Sequence, residues 1–221
     1  MSPNGKKETF VHIAYLDDSG SDKPSPIAVV GAVLVSPDIE FPKIASSVGF
    51  VVQDLIPKEK LDEFEEFKAC DLYHGNEVFK GIDQPIRFKA IENLLITVRN
   101  FKLPVIYSAV DKSRLAKMAV GGADPIDVAF RMCARGIEQW MSVNDEHGLG
   151  LFIMDDTKDK ELKNALTKSF QLLRSPLRPP HWAGDLYHIH DDMYFGDSLF
   201  DGYPVVRSLR IFHFSPSEIQ S

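Results

Sequence analysis

IAYLDDSG, residues 13–20, sets an apolar run, Ile13-Ala14-Tyr15-Leu16, directly against Asp17-Asp18 and then Ser19-Gly20. An apolar run that stops on two carboxylates reads as a buried strand leaving the core, with charge placed at its carboxyl end. Working outward, FVHIAYL (10–16) and IAVVGAVLV (27–35) are two short apolar runs joined by a segment rich in Ser, Gly, Asp and Pro, the pattern of a hairpin. Ile44, Val48, Val51, Val52 and Leu55 then form the apolar stripe of a helix over 42–55. The acidic stretch EKLDEFEEFKACDLYHG is compatible with either an extended segment or the start of a helix. Pro85 opens a stronger helix that carries Ile86, Ile91, Leu94, Leu95, Val98 and Phe101. LPVIYSAV (103–110) reads as a buried strand, and Asp124-Pro125 as the cap and first residue of a helix turning Ala129, Cys133, Ile137 and Trp140 or Met141 inward.

LGLFIM (149–154) is the next strand, and it too ends on a carboxylate pair, Asp155-Asp156. A helix with Leu162, Leu166, Phe170 and Leu173 inward follows. Strands, then alternating helix and strand, imply an α/β layer with a mixed sheet. Side chains alternate across a strand, so one aspartate of each pair faces a shared cleft while its neighbour turns away. Asp17 and Asp155 are the preferred pair, Asp18 and Asp156 the alternatives. Ligands of open α/β sheets collect beyond the carboxyl ends of strands, where these residues lie. Simple capping of a loop or helix is the competing reading. Like charges held within a few Å repel unless a divalent cation sits among them, and oxygen-only donors suit Mg²⁺ or Mn²⁺. Two such ions about 3.5–4 Å apart activate water and stabilise the leaving oxygen of a phosphodiester.

YLDDSG resembles the YxDESG strand of an uncharacterised RNase H-like family, domain of unknown function 3800. Glu66-Phe67-Lys68-Ala69 is similar to that family's E-[LIF]-[HK]-A segment, Asp155 to its strand-end acid, and DDMYFGDS (191–198) to its F-x-D-S block. The resemblance runs from about Val11 to Ser198 and rests on the order and spacing of short motifs. It implies a single RNase H-like domain over 1–221, a mixed sheet flanked by helices, and a divalent-metal nuclease site whose activity is inferred for the family. Asp17 would be the first-strand ligand, Glu66 the second acid and Asp155 the third, serving as both catalytic and metal-binding residues. Asp18 stands where the family usually has Glu. Lys68 would neutralise a phosphate or, preferably, pair with Glu65.

The ending departs from the family. A segment like S-x-G-I-Q-L-A-D-L, a helix bearing the last acidic ligand, is expected after the D-S block, but the chain continues SLFDGYPVVRSLRIFHFSPSEIQS. Codons for Asp201 through Phe212, read one nucleotide later, can spell Met-Gly-Ile-Gln-Leu-(Leu or Ser)-Asp-Leu-Cys-Gly-Tyr-Phe. Residues 199–221 are therefore read as a frameshifted tail, with the C-terminal helix lost or replaced and the last ligand missing. Weak metal binding and little turnover follow. A noncatalytic binding or regulatory protein on the same fold is the alternative reading.

A formal charge of −7 gives no electrostatic footprint for nucleic acid, although a phosphodiester substrate would make nucleic acid the partner. Cys70 and Cys133 lie far apart without metal-ligand spacing, which suggests a reducing cytoplasm. No apolar stretch is long enough to span a membrane, and MSPNGKKETF lacks the apolar core of a secretory signal. The P-loop, dinucleotide and nucleophile-elbow patterns do not occur. YHIHDD (187–192) would align His188, His190 and Asp192 on one strand face, as polar residues in preference to a transition-metal site; Asp192 and Asp197 are weaker substitutes for the absent ligand. VGGAD (120–124) reads as a flexible loop, and the aromatic residues as core rather than a stacking platform.

Overall fold

The computed structural model describes residues 10–21, 24–118, 123–155, 159–175, 186–190 and 192–196, with Ile39 described by its backbone alone. Strands β1 (Val11–Ser19) and β2 (Ile27–Val35) form the expected hairpin, antiparallel from Ile13 opposite Val35 to Ser19 opposite Val29. Helix α1 (Pro37–Leu55) follows, then a 3₁₀ segment (Lys58–Glu63), helix α2 (Ala69–His74), a single 3₁₀ turn (Glu77–Phe79) and helix α3 (Gln84–Asn100). Strand β3 (Val105–Asp111) leads into the short helix α4 (Lys112–Lys117); α5 (Pro125–Asn144), β4 (Leu149–Asp155), α6 (Lys160–Arg174) and β5 (Tyr194–Gly196) complete the described chain. The sheet order is β3-β2-β1-β4-β5, with β2 antiparallel to both neighbours and β1, β4 and β5 mutually parallel. The chain is thus an α/β protein with a mixed five-stranded sheet flanked by helices. Among the described residues no helix is long and apolar enough to cross a membrane.

Alternation along the strands divides the core in two. Ala14 and Leu16 of β1, Val30 and Leu34 of β2, and Phe152 and Met154 of β4 face α5 and α6, where Phe130, Ile137 and Phe170 meet them. The opposite face sends Tyr15, Val33 and Val35 against Ile44, Leu72, Leu94 and Phe67 of the α1–α3 layer. Each of the large, fully buried side chains contributes about 1.5–3 kcal/mol relative to exposure.

Several local expectations are corrected. Helix α1 starts at Pro37 rather than Pro42. Ser36 is its N-cap and Glu40 reaches back to accept the Ser36 N–H at 2.8 Å, so Pro42 is carried inside the helix at the loss of one backbone bond. The open stretch EFKACDL divides: it is extended through Lys68 and helical from Ala69. Strand β3 is an edge strand and not a buried one; Ser108 and Val110 point into the core, while Tyr107 on the other face is 72% exposed. YHIHDD forms no strand in its described part, only a single parallel bridge of Ile189 to Gly150. Asp156, Asp197, most of the 120–124 loop and the 199–221 tail lie outside the described residues.

Candidate metal centre

β1 and β4 run in the same direction with Leu16 opposite Met154. The next step of that register sets Asp17 beside Asp155, each half-buried at the carboxyl end of its strand. Leu16 and Met154 are buried toward α5 and α6, so Asp17 and Asp155 both face the α1–α3 side. Neighbouring strands are about 4.8 Å apart, which puts the two carboxylates within reach of one cation. The same register continues across the sheet: Asp17 lies opposite Gly31, Gly31 opposite Tyr107, and Asp155 opposite Gly196. The row therefore reads Tyr107, Gly31, Asp17, Asp155, Gly196, with a glycine on each side of the acid pair. One Asp17 oxygen accepts the Asp18 N–H at 2.9 Å, which orients that carboxylate at the strand end. Tyr15, two residues earlier on the same face, is pushed up to about 12 by burial and stays a neutral phenol.

Glu66 sits in the extended segment before α2. Phe67, its neighbour, is 1% exposed in the α1–α3 core, so backbone alternation turns Glu66 and Lys68 together to the other side. There Lys68 Nζ lies 3.3 Å from Glu66 Oε1, an ion pair with Glu66. Both line a groove of about 840 Å³ with Glu63, Glu65, Asp71 and Lys80. The structure thus brings Asp17 and Asp155 together by register, and places Glu66 on the same layer of the molecule, engaged by a lysine. Among the described residues no group of three or more His, Cys, Asp or Glu has the geometry to hold a metal ion. The donor set nevertheless fits a hard divalent cation, being oxygen-only and anionic.

Two further polar clusters lie at the other end of the sheet. His12, 8% exposed, has Nδ1 3.1 Å from Ser36 Oγ and Nε2 3.1 Å from Asp145 Oδ2, with its ring edge-on to Trp140. The constellation has the members of a Ser-His-Asp relay. Yet the Ser36 N–H that would meet a developing oxyanion is already given to the Glu40 carboxylate, whose charge opposes one. The cluster is a structural pin. His188, expected on a strand face, instead packs on α5: Nδ1 is 2.6 Å from Glu138 Oε1 and Nε2 is 3.1 Å from the Glu146 carbonyl. Burial lowers its affinity for a proton, but the hydrogen bonds to Glu138 and Glu146 and the charges of Glu138 and Asp145 outweigh it, so its pKa is raised. Cys133, buried and pushed up to about 12 by desolvation, is no nucleophile.

Gly31, Gly196 and Tyr107 have no signature that marks them as neighbours of the acid pair; only the strand register finds them. The chain matches no protein-family model, and no curated protein is significantly similar to it.

Proposed function

We propose that this chain is an RNase H-like protein descended from divalent-metal-dependent nucleases or related phosphohydrolases, with Asp17, Glu66 and Asp155 as its acidic ligands and Mg²⁺ or Mn²⁺ as the cation. The observation that carries the reading is the juxtaposition of Asp17 and Asp155 on one face, at the carboxyl ends of adjacent parallel strands. The sheet order β3-β2-β1-β4-β5, with β2 the antiparallel strand, supports the RNase H-like form of the fold. A bound divalent cation would supply an activated water and take up charge on the leaving oxygen of a phosphodiester. The chain's own part is to hold two carboxylates in fixed relation on a rigid sheet, with Gly31 leaving the flank beside Asp17 open for a phosphate. Glu66 joins as third ligand by giving up its ion pair with Lys68, which then stands free to meet the phosphate.

A specific observation favours the second reading, a noncatalytic binding protein on the same fold: Glu66 is already neutralised by Lys68 at 3.3 Å. Thermal-shift titration with Mg²⁺ and Mn²⁺ separates the two. Saturating cation should raise the melting temperature of the parent by a few degrees, as expected from about 1–3 kcal/mol of linkage, and Asp17→Asn should abolish the rise. An identical response of parent and Asp17→Asn, or none in either, sinks the metal centre.

A further inference from the structure

We propose that Tyr107 is a stacking platform for a base of single-stranded nucleic acid whose phosphate lies at Asp17 and Asp155. The inference rests on the metal-dependent reading of that acid pair and adds the substrate class and a specificity-determining residue. Tyr107, Gly31, Asp17 and Asp155 follow one another in register on one sheet face. At about 4.8 Å per strand, Tyr107 stands two strands, roughly 10 Å, from Asp17, a span suited to one nucleotide between its phosphate and its base. The floor between them is clear: a Cβ built on Gly31 would meet nothing nearer than Tyr107 Cβ, 4.0 Å away. Tyr107 itself is 72% exposed, on an edge strand, where the core has no use for a large aromatic.

Charge at the same end of the sheet fits a polyanion despite the net −7. β3 runs parallel in direction to β1 and β4, so its carboxyl end lies with theirs. There α4 begins, carrying Lys112, Arg114 and Lys117 within six residues. Arg114 is held by Asp111 at 3.5 Å with its side chain 86% exposed, available to a backbone phosphate. A duplex would present its phosphates outward and keep its bases stacked inside, away from Tyr107. A single strand lays bases on an aromatic ring without regard to sequence.

The test is fluorescence anisotropy of the full chain with a labelled phosphorothioate oligothymidylate of about 12 nucleotides, the same strand made abasic, and its duplex, each in Mn²⁺ and in EDTA. Tyr107→Ala should weaken binding of the single strand about tenfold or more, whereas Tyr107→Phe should stay within about twofold of the parent. The abasic strand should bind all three proteins alike. Tyr187→Ala, equally exposed in the segment docked on the far end of the sheet, should change nothing. Unchanged affinity in Tyr107→Ala, an equal loss with the abasic strand, no binding of the single strand by the parent, or loss of self-association in its place overturns the proposal. The metal centre fails separately, through the thermal shift of Asp17→Asn: base-dependent binding that persists in EDTA, without a cation shift, keeps Tyr107 and removes the cation.

Discussion

His188 sits among groups that favour its protonated form. Both ring nitrogens face acceptors, Glu138 Oε1 and the Glu146 carbonyl, and only the doubly protonated imidazolium can donate to both. Its backbone N–H also donates to Glu138, at 3.1 Å, and its carbonyl accepts from Gly150 at 2.7 Å, so the side chain fastens the 186–190 segment to α5 and the start of β4. The charges that act on it, Glu138 and Asp145, are both acidic, and His147 and His190 line the same pocket. The folded pKa stands above the ordinary 6.5. The resulting stability is therefore fully present below the unfolded pKa near 6.5 and is lost as pH rises through the folded value. Urea denaturation of the parent across that interval should show a fall in midpoint that His188→Gln lacks, the variant lying below the parent at acidic pH and converging with it at alkaline pH. Parallel pH profiles for the two proteins would show that His188 is neutral in the folded state.

His12 acts on elements rather than on a single segment. Through Ser36 it holds the β2–α1 junction, through Asp145 the end of α5, and its own backbone begins β1, so one ring ties three chain segments at the amino end of β1. His12→Ala removes two hydrogen bonds and leaves buried polar partners behind, a loss of about 2–4 kcal/mol measurable by urea denaturation. The cation response of Asp17 should survive, because that residue lies at the opposite end of the strand; loss of the response in His12→Ala would tie the two ends together. Elements with strong local signals were legible before the structure: the hairpin, the helices opened by Pro85 and Asp124-Pro125, and the acid-ended strands. Pro42 misled because a capping interaction one turn earlier outweighs one missing backbone bond. β3 looked buried because position in a sheet, centre or edge, is decided by pairing with distant strands. For the same reason the facing of Asp17 and Asp155 could be argued from alternation within each strand, whereas their glycine and tyrosine neighbours depend on registers between strands. His188 escaped because its partner, Glu138, is 50 residues away.

The sheet is treated unequally by its two sides, and that asymmetry bears on activity. On β4, Phe152 and Met154 are at most 1% exposed beneath α5 and α6. The other side of β4 and β5, the side of Asp155, leaves Leu149 40% and Tyr194 44% exposed. The α1–α3 layer packs against Tyr15, Val33 and Val35, to one side of that strip. A helix with an apolar face and one inward carboxylate would cover the strip and complete an acidic ligand set, and codons for the residues from Asp201 onward, read one nucleotide later, can spell such a segment, Gly-Ile-Gln-Leu-(Leu or Ser)-Asp-Leu. In that reading the aspartate would straddle the codons of Arg207 and Ser208, neither of which is an acid. The present chain should bind Mn²⁺ weakly and turn over little nucleic acid. A chain whose residues from 201 onward follow the shifted frame should show a larger cation-dependent rise in melting temperature than the present chain, and a Mn²⁺-dependent cleavage of oligonucleotides that Asp155→Asn removes. Each covered Å² of apolar surface would add about 25 cal/mol, so the restored chain should also be more stable without metal. Encoding DNA whose codons cannot yield that reading would remove the frameshift from its history, whereas robust Mg²⁺- or Mn²⁺-dependent cleavage by the present chain, abolished by Asp17→Asn, would return the missing ligand to residues already in the sequence.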